Sequence, residues 1–409
     1  QVSFDLQGTQ FTPNEYKPYS QKWEDVDKQL LKPENIQFGE HLSLTNPFRP
    51  ETKQAYNSEM NFEEKIICAF QVLKKKMAWN GRYQLYSKEL EKVIKKGSGS
   101  NADLNFILIS ILKDFGLEAY PVVMSRRSSG MLPYNFPSLQ KLNTFFVAIH
   151  DINKQKYVFL DSSMDVPAFN ILPLELSVNK ARILSRKEKE ENKWVNVMTL
   201  SNNKSFMKID ARIEGDQVKG HRSTVLYGQE AIEYQANENH KQDNLVSNPE
   251  NKVSQKEKLT VTNLKVKKQE NDWALIEEEF DFVLQADRTD DHLYINPMLF
   301  PQLKSNPFIQ TERVLPIEFP YPYKFTMLST LTLPEGYEVE ELPQSQSIRS
   351  EGDGLQCKYM IQQQGNTILL NYVFHLKGYI FLSEQYKQLQ ELWTKVIEKN
   401  NALIVLKKI

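Results

Sequence analysis

The amino-acid sequence predicts an α+β protein, with an α/β core followed by a β-rich, sandwich-like C-terminal region. Between about residues 61 and 115, apolar residues recur at helical spacing, and after that stretch they alternate as in strands. Beyond about residue 185, alternating segments separated by turn residues predominate. The 409-residue chain is predicted to have an extended lead-in segment (1–50), the α/β core (51–185), a β-rich domain (186–310) and a C-terminal β domain with a terminal helix (311–409). The last two are alternatively one unit.

The helical signals lie in the lead-in segment and in the first half of the core. FTPNEYKPY is typical of extended, proline-punctuated chain, and WEDVDKQLLK predicts a short amphipathic helix. The periodic runs 62–77 and 90–94 predict two further helices, and the turn KKGSGSNAD follows them. The next helix, at about 102–115, is apolar over most of its surface, and Gly116 stands where a C-cap usually lies. We therefore expect this helix to be buried.

Strand signals follow the buried helix. AYPVVMS predicts one strand, and the loop RRSSGMLPYNFPSLQK separates it from a hairpin formed by NTFFVAIHDI and KYVFLDSS. We expect the buried helix to pack across a sheet that contains these three strands.

The C-terminal half begins after RKEKEENK, which indicates a charged surface loop. Its strand-like segments are SFMKIDARIEG, VKGHRSTVLYG, KLTVTNLKVKK, WALIEEEFDFVLQ, KFTMLSTLTLP, YEVEELP, LQCKYMIQ and NTILLNYVFHLKG. The polar stretch 236–257 predicts an irregular or helical excursion. A final amphipathic helix, 384–398, precedes the strand NALIVLKK.

Composition argues against several function classes. With 51 Lys+Arg and 52 Asp+Glu the net charge is -1, so we expect no nucleic-acid partner. No apolar run reaches the roughly 18 residues of a membrane helix. Nucleotide-binding motifs do not occur and the histidines lack metal-ligand spacing, so no cofactor or metal is predicted. Cys68 and Cys357 are predicted to be buried free thiols. The acids Asp290 and Asp291 are interpreted as solvated surface, with a calcium site as the alternative.

The sequence around the buried helix resembles the transglutaminase-like superfamily, which is related to papain-like proteases. Its members place a Cys in a turn at the N-terminus of this helix, a His on the following strand and an Asp on the next. A helix N-terminus lowers the thiol pKa, the His accepts the proton, and the Asp orients the imidazole. In this chain GSNAD matches the turn, LNTFFV the second strand and LDSS the third. The resemblance thus places Asn101 at the Cys position and Thr144 at the His position, and retains Asp161.

Each of these positions also has a structural interpretation. Asn101 is predicted to be a helix N-cap, with a polar group in a residual ligand cleft as the alternative. Asp161 is predicted to bond backbone amides of the following loop or to stabilise a nearby turn. Ser98 and Ser100 lie near the nucleophile position, but no base is assignable to either. His150 lies on the Thr144 strand, about 20 Å further along, and is predicted to sit at the strand end.

The resemblance extends beyond the core. WNGRYQLYS, GLEAYPVVMSRRSSG, HLYINPMLFPQLKSNPF and LTLPEGYEVEELP are similar to a Bacteroidetes group of multidomain proteins. In that group an N-terminal β domain precedes the core and a C-terminal β domain follows it. The resemblance implies a periplasmic or secreted protein whose signal peptide and N-terminal domain are absent from this chain. In this topology the loop 126–141 is expected to overhang the cleft beside Thr144.

Together these observations predict a non-catalytic transglutaminase-like protein. Such a pseudoenzyme would act as an extracytoplasmic binding or scaffold module for a protein, peptide or glycan, without a membrane span. The alternative is a peptidase or acyl-transfer enzyme with an atypical site around Asn101, Thr144 and Asp161.

Overall fold

A computed structural model of the chain describes residues 8–12, 15–18, 22–186, 193–243 and 259–409. The chain divides into two units, residues 1–200 and 201–409, each with its own apolar core. Helices combined with many strands confirm the α+β class and the β-rich C-terminal region. Most of the predicted charged loop, and the second half of the predicted excursion, lie outside the described residues.

The first unit contains a short hairpin, five helices and the strands of a five-stranded sheet. Its elements in chain order are β1 (Gly8–Thr12), β2 (Glu15–Pro18), α1 (Trp23–Leu31), α2 (Arg49–Ala55), α3 (Phe62–Lys76), β3 (Ala78–Trp79), α4 (Leu90–Lys96), β4 (Ser98–Gly99), α5 (Asn101–Asp114), β5 (Glu118–Met124), β6 (Thr144–Asp151), β7 (Lys156–Leu160), β8 (Ala181–Ile183) and β9 (Lys193–Val195). The sequence signals explain several boundaries. For example, Asn61 begins α3 because its side chain accepts from Glu64 N at 3.0 Å while the Glu64 carboxylate accepts from Asn61 N at 2.8 Å.

The five-stranded sheet has the order β7-β6-β5-β8-β9 with antiparallel pairing throughout. Helix α5 packs across β5 and β6, and every residue from Asn101 to Leu112 is buried. This arrangement confirms the prediction that an apolar helix packs across a sheet containing the three predicted strands. A helix that is apolar on nearly all sides lowers its free energy only when it is covered on nearly all sides.

A buried ion pair ties α1 to this sheet. The side chains of Asp27 and Arg182 are 2% and 4% exposed, and Arg182 lies on β8. The guanidinium donates from Nε to Oδ1 at 2.8 Å and from Nη2 to Oδ2 at 2.6 Å. Such a bidentate contact holds two groups that are costly to bury singly. No local sequence pattern indicates this pair, because its two members are 155 residues apart.

The loop 126–141 takes a different course from the predicted one. Its turn at 133–136 lies near the β9 edge of the sheet, where the Tyr134 ring packs on Trp194 with centroids 5.1 Å apart. The Tyr134 carbonyl accepts from Nε1 of Trp23 at 2.8 Å. Because β9 and β7 are opposite edges, the expectation that the loop overhangs the Thr144 end of the hairpin is wrong. The aromatic contacts decide its path.

The second unit is built from strands, with one helix between strands and one near the C-terminus. Its elements are β10 (Lys204–Glu214), β11 (Gln217–Tyr227), α6 (Gln229–Asp243), β12 (Leu259–Gln269), β13 (Asp272–Gln285), β14 (Asp287–Arg288), β15 (His292–Ile295), β16 (Ile317–Glu318), β17 (Tyr323–Thr332), β18 (Tyr337–Glu341), β19 (Gln346–Arg349), β20 (Leu355–Gln364), β21 (Thr367–Leu376), β22 (Ile380–Phe381), α7 (Tyr386–Asn400) and β23 (Ile404–Lys408). An eight-stranded sheet has the order β12-β13-β11-β10-β17-β21-β20-β19, and a four-stranded sheet has the order β14-β15-β23-β18. One apolar core joins side chains of both sheets and of α7.

The eight-stranded sheet contains strands from both predicted domains, 186–310 and 311–409. They meet where β10 pairs in parallel with β17. Along β10 buried and exposed residues alternate strictly, which is the pattern of a sheet with one covered face. Both cysteines are free, as predicted; Cys357 is fully buried, whereas Cys68 on α3 is only partly buried. No helix in the described ranges is long and apolar enough to cross a bilayer.

Candidate functional site

Helix α5 is capped by Ser100, and Asn101 is its first helical residue. The Ser100 hydroxyl accepts from Asp103 N at 3.3 Å, and Asp103 Oδ2 accepts from Ser100 N at 2.8 Å and from the Ser100 hydroxyl at 2.7 Å. The prediction that Asn101 is the N-cap is therefore wrong by one residue. A carboxylate three residues after the cap can close this reciprocal pair with Ser100, whereas the third residue after Asn101 is Leu104.

The Asn101 side chain instead lies inside the protein, with no exposed surface. Its Nδ2 donates to Thr144 Oγ1 at 2.8 Å and to the Phe145 carbonyl at 2.9 Å. Its Oδ1 accepts from Gln84 N at 2.8 Å. Both amide hydrogens and the carbonyl oxygen are thus engaged, so this side chain links α5 to β6 and to the segment preceding α4.

One turn further along the same helix face, Asn105 connects β6 to the end of β7. Its Nδ2 donates to the Phe145 carbonyl at 2.8 Å and to Asp161 Oδ2 at 2.9 Å. Its Oδ1 accepts from the backbone N and the hydroxyl of Ser162 at 3.0 and 2.6 Å. Asn105 is not among the residues predicted from the sequence. Two asparagines four residues apart on an otherwise apolar helix were the available signal, because i and i+4 residues share a face.

Asp161 follows β7 and is 1% exposed. Its Oδ1 accepts from Ser163 N at 2.9 Å and from the Ser163 hydroxyl, which confirms the prediction that it bonds an amide of the following loop. Burial raises the pKa of Asp161, against the opposing effect of hydrogen bonds from Ser163 and Asn105. The Ser163 hydroxyl also lies 3.2 Å from the Tyr83 hydroxyl.

The structure therefore brings the three positions indicated by the resemblance, Asn101, Thr144 and Asp161, into one buried polar network. Ser100 is engaged in the helix cap, and Ser98 lies outside the network on β4. His150 lies near the end of β6, as predicted, where its ring stacks on Tyr157. The network offers amides, hydroxyls and one carboxyl, and its members hydrogen-bond one another.

No three His, Cys, Asp or Glu side chains come together as a metal site within the described part of the chain. His292, next to the predicted acid cluster, lies with its Nε2 3.0 Å from a Glu340 carboxylate oxygen.

Beside the network, an open cleft of about 620 Å³ lies over the N-terminus of α5. It is bounded by the segment between β3 and α4, by α5, and by the two ends of the β5–β6 loop. Its lining residues include Asn80, Arg82, Tyr83, Gln84, Tyr86, Lys88, Glu89, Asp103, Arg126 and Asn143. The side chains of the network are buried and bonded to one another, so a ligand cannot contact them directly. The cleft is the surface next to Asn101 that a ligand can reach.

The fold has a counterpart among solved structures. Over 99% of its length the chain is similar to a crystal structure from Parabacteroides distasonis described as a "putative protease", with a TM-score of 0.54 and 11% sequence identity. The chain spans 63% of the length of that protein. At this identity the similarity shows a shared fold alone.

A family model matches part of the second unit. Residues 291–406, from the start of β15 into β23, match DUF3858, a domain of unknown function with a solved structure. No curated protein matches the sequence.

Proposed function

We propose that this chain is a catalytically inactive member of the transglutaminase-like superfamily that acts as a binding or scaffold module. The observation that carries the proposal is the state of Asn101 at the nucleophile position. Its carboxamide is fully buried and makes three hydrogen bonds. A covalent catalyst needs a nucleophile that substrate can reach and a base within hydrogen-bond distance. An amide with a hydroxyl at 2.8 Å supplies neither.

The geometry supports the superfamily assignment as well as the loss of activity. Thr144 is the first residue of β6, and Asp161 directly follows β7, the next strand along the chain. Asn101 contacts Thr144, and Asn105 joins the network to Asp161. Triad members must lie within such contacts of one another. The chain also shares its fold with the Parabacteroides distasonis protein that is described as a putative protease.

The interpretation as a binding module rests on the open cleft next to the closed network. A concave surface with a few convergent polar groups is the usual form of a ligand site. Resemblance to the Bacteroidetes multidomain group supports a periplasmic or secreted location. We propose that the ligand is a protein, peptide or glycan met outside the cytoplasm.

A direct test compares the wild type with the double variant Asn101→Cys/Thr144→His. The wild type should neither hydrolyse fluorogenic peptides nor incorporate a fluorescent amine into casein. In the double variant the introduced thiol lies at a helix N-terminus near an imidazole, so its pKa should fall and it should react with iodoacetamide near neutral pH. Asn101→Cys alone is the matched control, and its thiol should react more slowly.

Two outcomes would contradict the proposal. Wild-type turnover that is lost in Asp161→Asn would indicate the enzyme with an atypical site. Equal thiol reactivity in the single and double variants would mean that positions 101 and 144 do not form a nucleophile–base pair.

A further inference from the structure

We infer that the cleft over the α5 N-terminus binds an acidic peptide segment through Arg82, Lys88 and Arg126. This inference rests on the proposed function, because it assigns a ligand class to the same inactive site. It starts from the charges that line the cleft, which are those three cations and the carboxylates of Glu89 and Asp103.

Both carboxylates are already engaged elsewhere. The Glu89 carboxylate accepts from Nζ of Lys92 at 2.5 Å. The Asp103 carboxylate accepts two hydrogen bonds from Ser100 in the helix cap and is 6% exposed. The cations of the cleft are therefore not neutralised by its own acids, and a negatively charged ligand gains from them.

The Arg126 guanidinium has an N–H donor that forms no hydrogen bond in the described part of the chain. Its Nε is buried and has no hydrogen-bond partner within the described ranges. The carboxylate of Glu175 forms an ion pair with its Nη1 at 3.9 Å, which is too long for a hydrogen bond, so the guanidinium N–H groups are not taken up by it. Its backbone is held in place because Arg126 N donates to Asn143 Oδ1 at 2.9 Å. A planar guanidinium with free donors matches the two oxygens of a carboxylate.

Arg82 and Lys88 are exposed, and neither forms an ion pair in the described part of the chain. The backbone that carries them is fixed at both ends. The Arg82 carbonyl accepts from Asn101 N at 3.0 Å, and Ser87 N donates to the Gln37 carbonyl at 3.1 Å. A cleft whose backbone is already ordered loses less conformational entropy when a ligand binds.

The aromatic residues of the cleft favour a peptide over a glycan. The Tyr83 ring packs on Trp79 with centroids 5.1 Å apart, and its hydroxyl is directed to Ser163. The Tyr86 ring packs edge-on against Phe38 at 6.5 Å. These rings form partly buried walls rather than open platforms on which a sugar ring could stack. Side-chain amides such as Gln84 supply donors and acceptors for a peptide backbone.

The test uses the full chain and a fluorescein-labelled octapeptide of alternating Glu and Ala, with binding followed by fluorescence anisotropy. The corresponding Gln-Ala peptide is the neutral probe. We expect the acidic peptide to bind, the neutral peptide to bind at least about tenfold more weakly, and affinity to fall between about 0.05 and about 0.5 M NaCl.

The variants locate the site. Arg126→Gln should weaken binding about tenfold, the loss expected for one charge-assisted contact. Arg82→Glu/Lys88→Glu should abolish measurable binding. Lys95→Glu makes the same kind of charge change on an exposed α4 residue that does not line the cleft, and it should change the affinity less than about twofold.

Four results would overturn the inference. They are no binding of the acidic peptide, equal binding of the neutral peptide, an equal loss in Lys95→Glu, or tighter binding of oligogalacturonate, which would indicate a glycan site. Mass spectrometry of the probe after incubation separates this inference from the proposed function. Cleavage by the wild type would refute catalytic inactivity, whereas an intact but unbound probe would refute only the ligand class.

Discussion

Replacing Asn101 by alanine is expected to destabilise the first unit more than replacing Ser100, although Ser100 is the cap. Asn101→Ala removes two buried hydrogen bonds, of 2.8 and 2.9 Å, and a partly buried one of 2.8 Å from Gln84 N. Phe145 O keeps its bond from Asn105 at 2.8 Å, so it stays paired. The Thr144 hydroxyl and the backbone N–H of Gln84 lose their hydrogen-bond partner on Asn101.

The magnitude follows from those losses. Leaving a buried polar group unpaired costs about 1 to 3 kcal/mol, and a well-paired one contributes about 1 kcal/mol. Two groups lose a partner, and one of them is near solvent because Gln84 is exposed. We therefore expect Asn101→Ala to cost about 2 to 4 kcal/mol. Ser100→Ala should cost about 1 kcal/mol, as for loss of a cap.

Hydrogen exchange of the α5 amides, read by mass spectrometry as urea increases, reports on the first unit without interference from the second. Asn101→Asp is a third variant. It keeps the shape but places a second carboxylate in the network of Asp161, so it should be less stable at neutral pH than Asn101→Ala. If Ser100→Ala proved as costly as Asn101→Ala, or if Asn101→Asp were the mildest of the three, the network would not be the source of stability.

Three further predictions concern other buried groups. Burial raises the pKa of Asp161, so its contribution to stability is complete below the ordinary value of about 4 and is lost as pH rises through the raised folded value. Asp161→Asn should remove that pH dependence, and a constant difference between variant and wild-type urea midpoints across pH would contradict it. Asp27→Ala should destabilise the first unit by about 3 to 5 kcal/mol because it leaves a guanidinium buried without its partner. Glu24→Ala removes the exposed partner of the same guanidinium and should have little effect on stability. Thermal denaturation of both variants measures the difference. Burial raises the pKa of Cys357 to about 11 and also raises that of Cys68. Peptide mass spectrometry should thus find Cys357 unmodified and Cys68 slowly modified by iodoacetamide in the native protein, and rapid labelling of Cys357 would refute its burial.

Part of the candidate site could be predicted from sequence because its signals are local. The apolar run of α5, the turn before it and the alternation of β6 and β7 each extend over a few neighbouring residues, and so does the motif around Asp161. Matching those segments to a family pattern was enough to select Asn101, Thr144 and Asp161. The structure then placed all three in one network.

The role of each residue was harder to predict, because it depends on contacts between distant segments. The chemistry of Asn101 is compatible with a cap, and only the position of Phe145 and Gln84, 44 and 17 residues away, directs its side chain inward. Asn105 gave a signal only together with Asn101, four residues earlier on the same helix face. The loop 126–141 was misplaced because its course depends on contacts of Tyr134 with distant residues, namely a hydrogen bond from Trp23 and ring packing against Trp194.

The sequence by itself determined the α+β class, the order of the main helices and strands, and the absence of a Cys and a His at the two positions that the resemblance indicates. These are properties of short segments, set by periodicity, turn residues and residue identity. Only the tertiary structure decided that the polar residues at those positions satisfy one another, and that a cleft lined by charged and polar side chains lies open beside them. The physical reason is that hydrogen-bond satisfaction and charge balance are sums over all neighbours of a group, and most of those neighbours are distant along the chain.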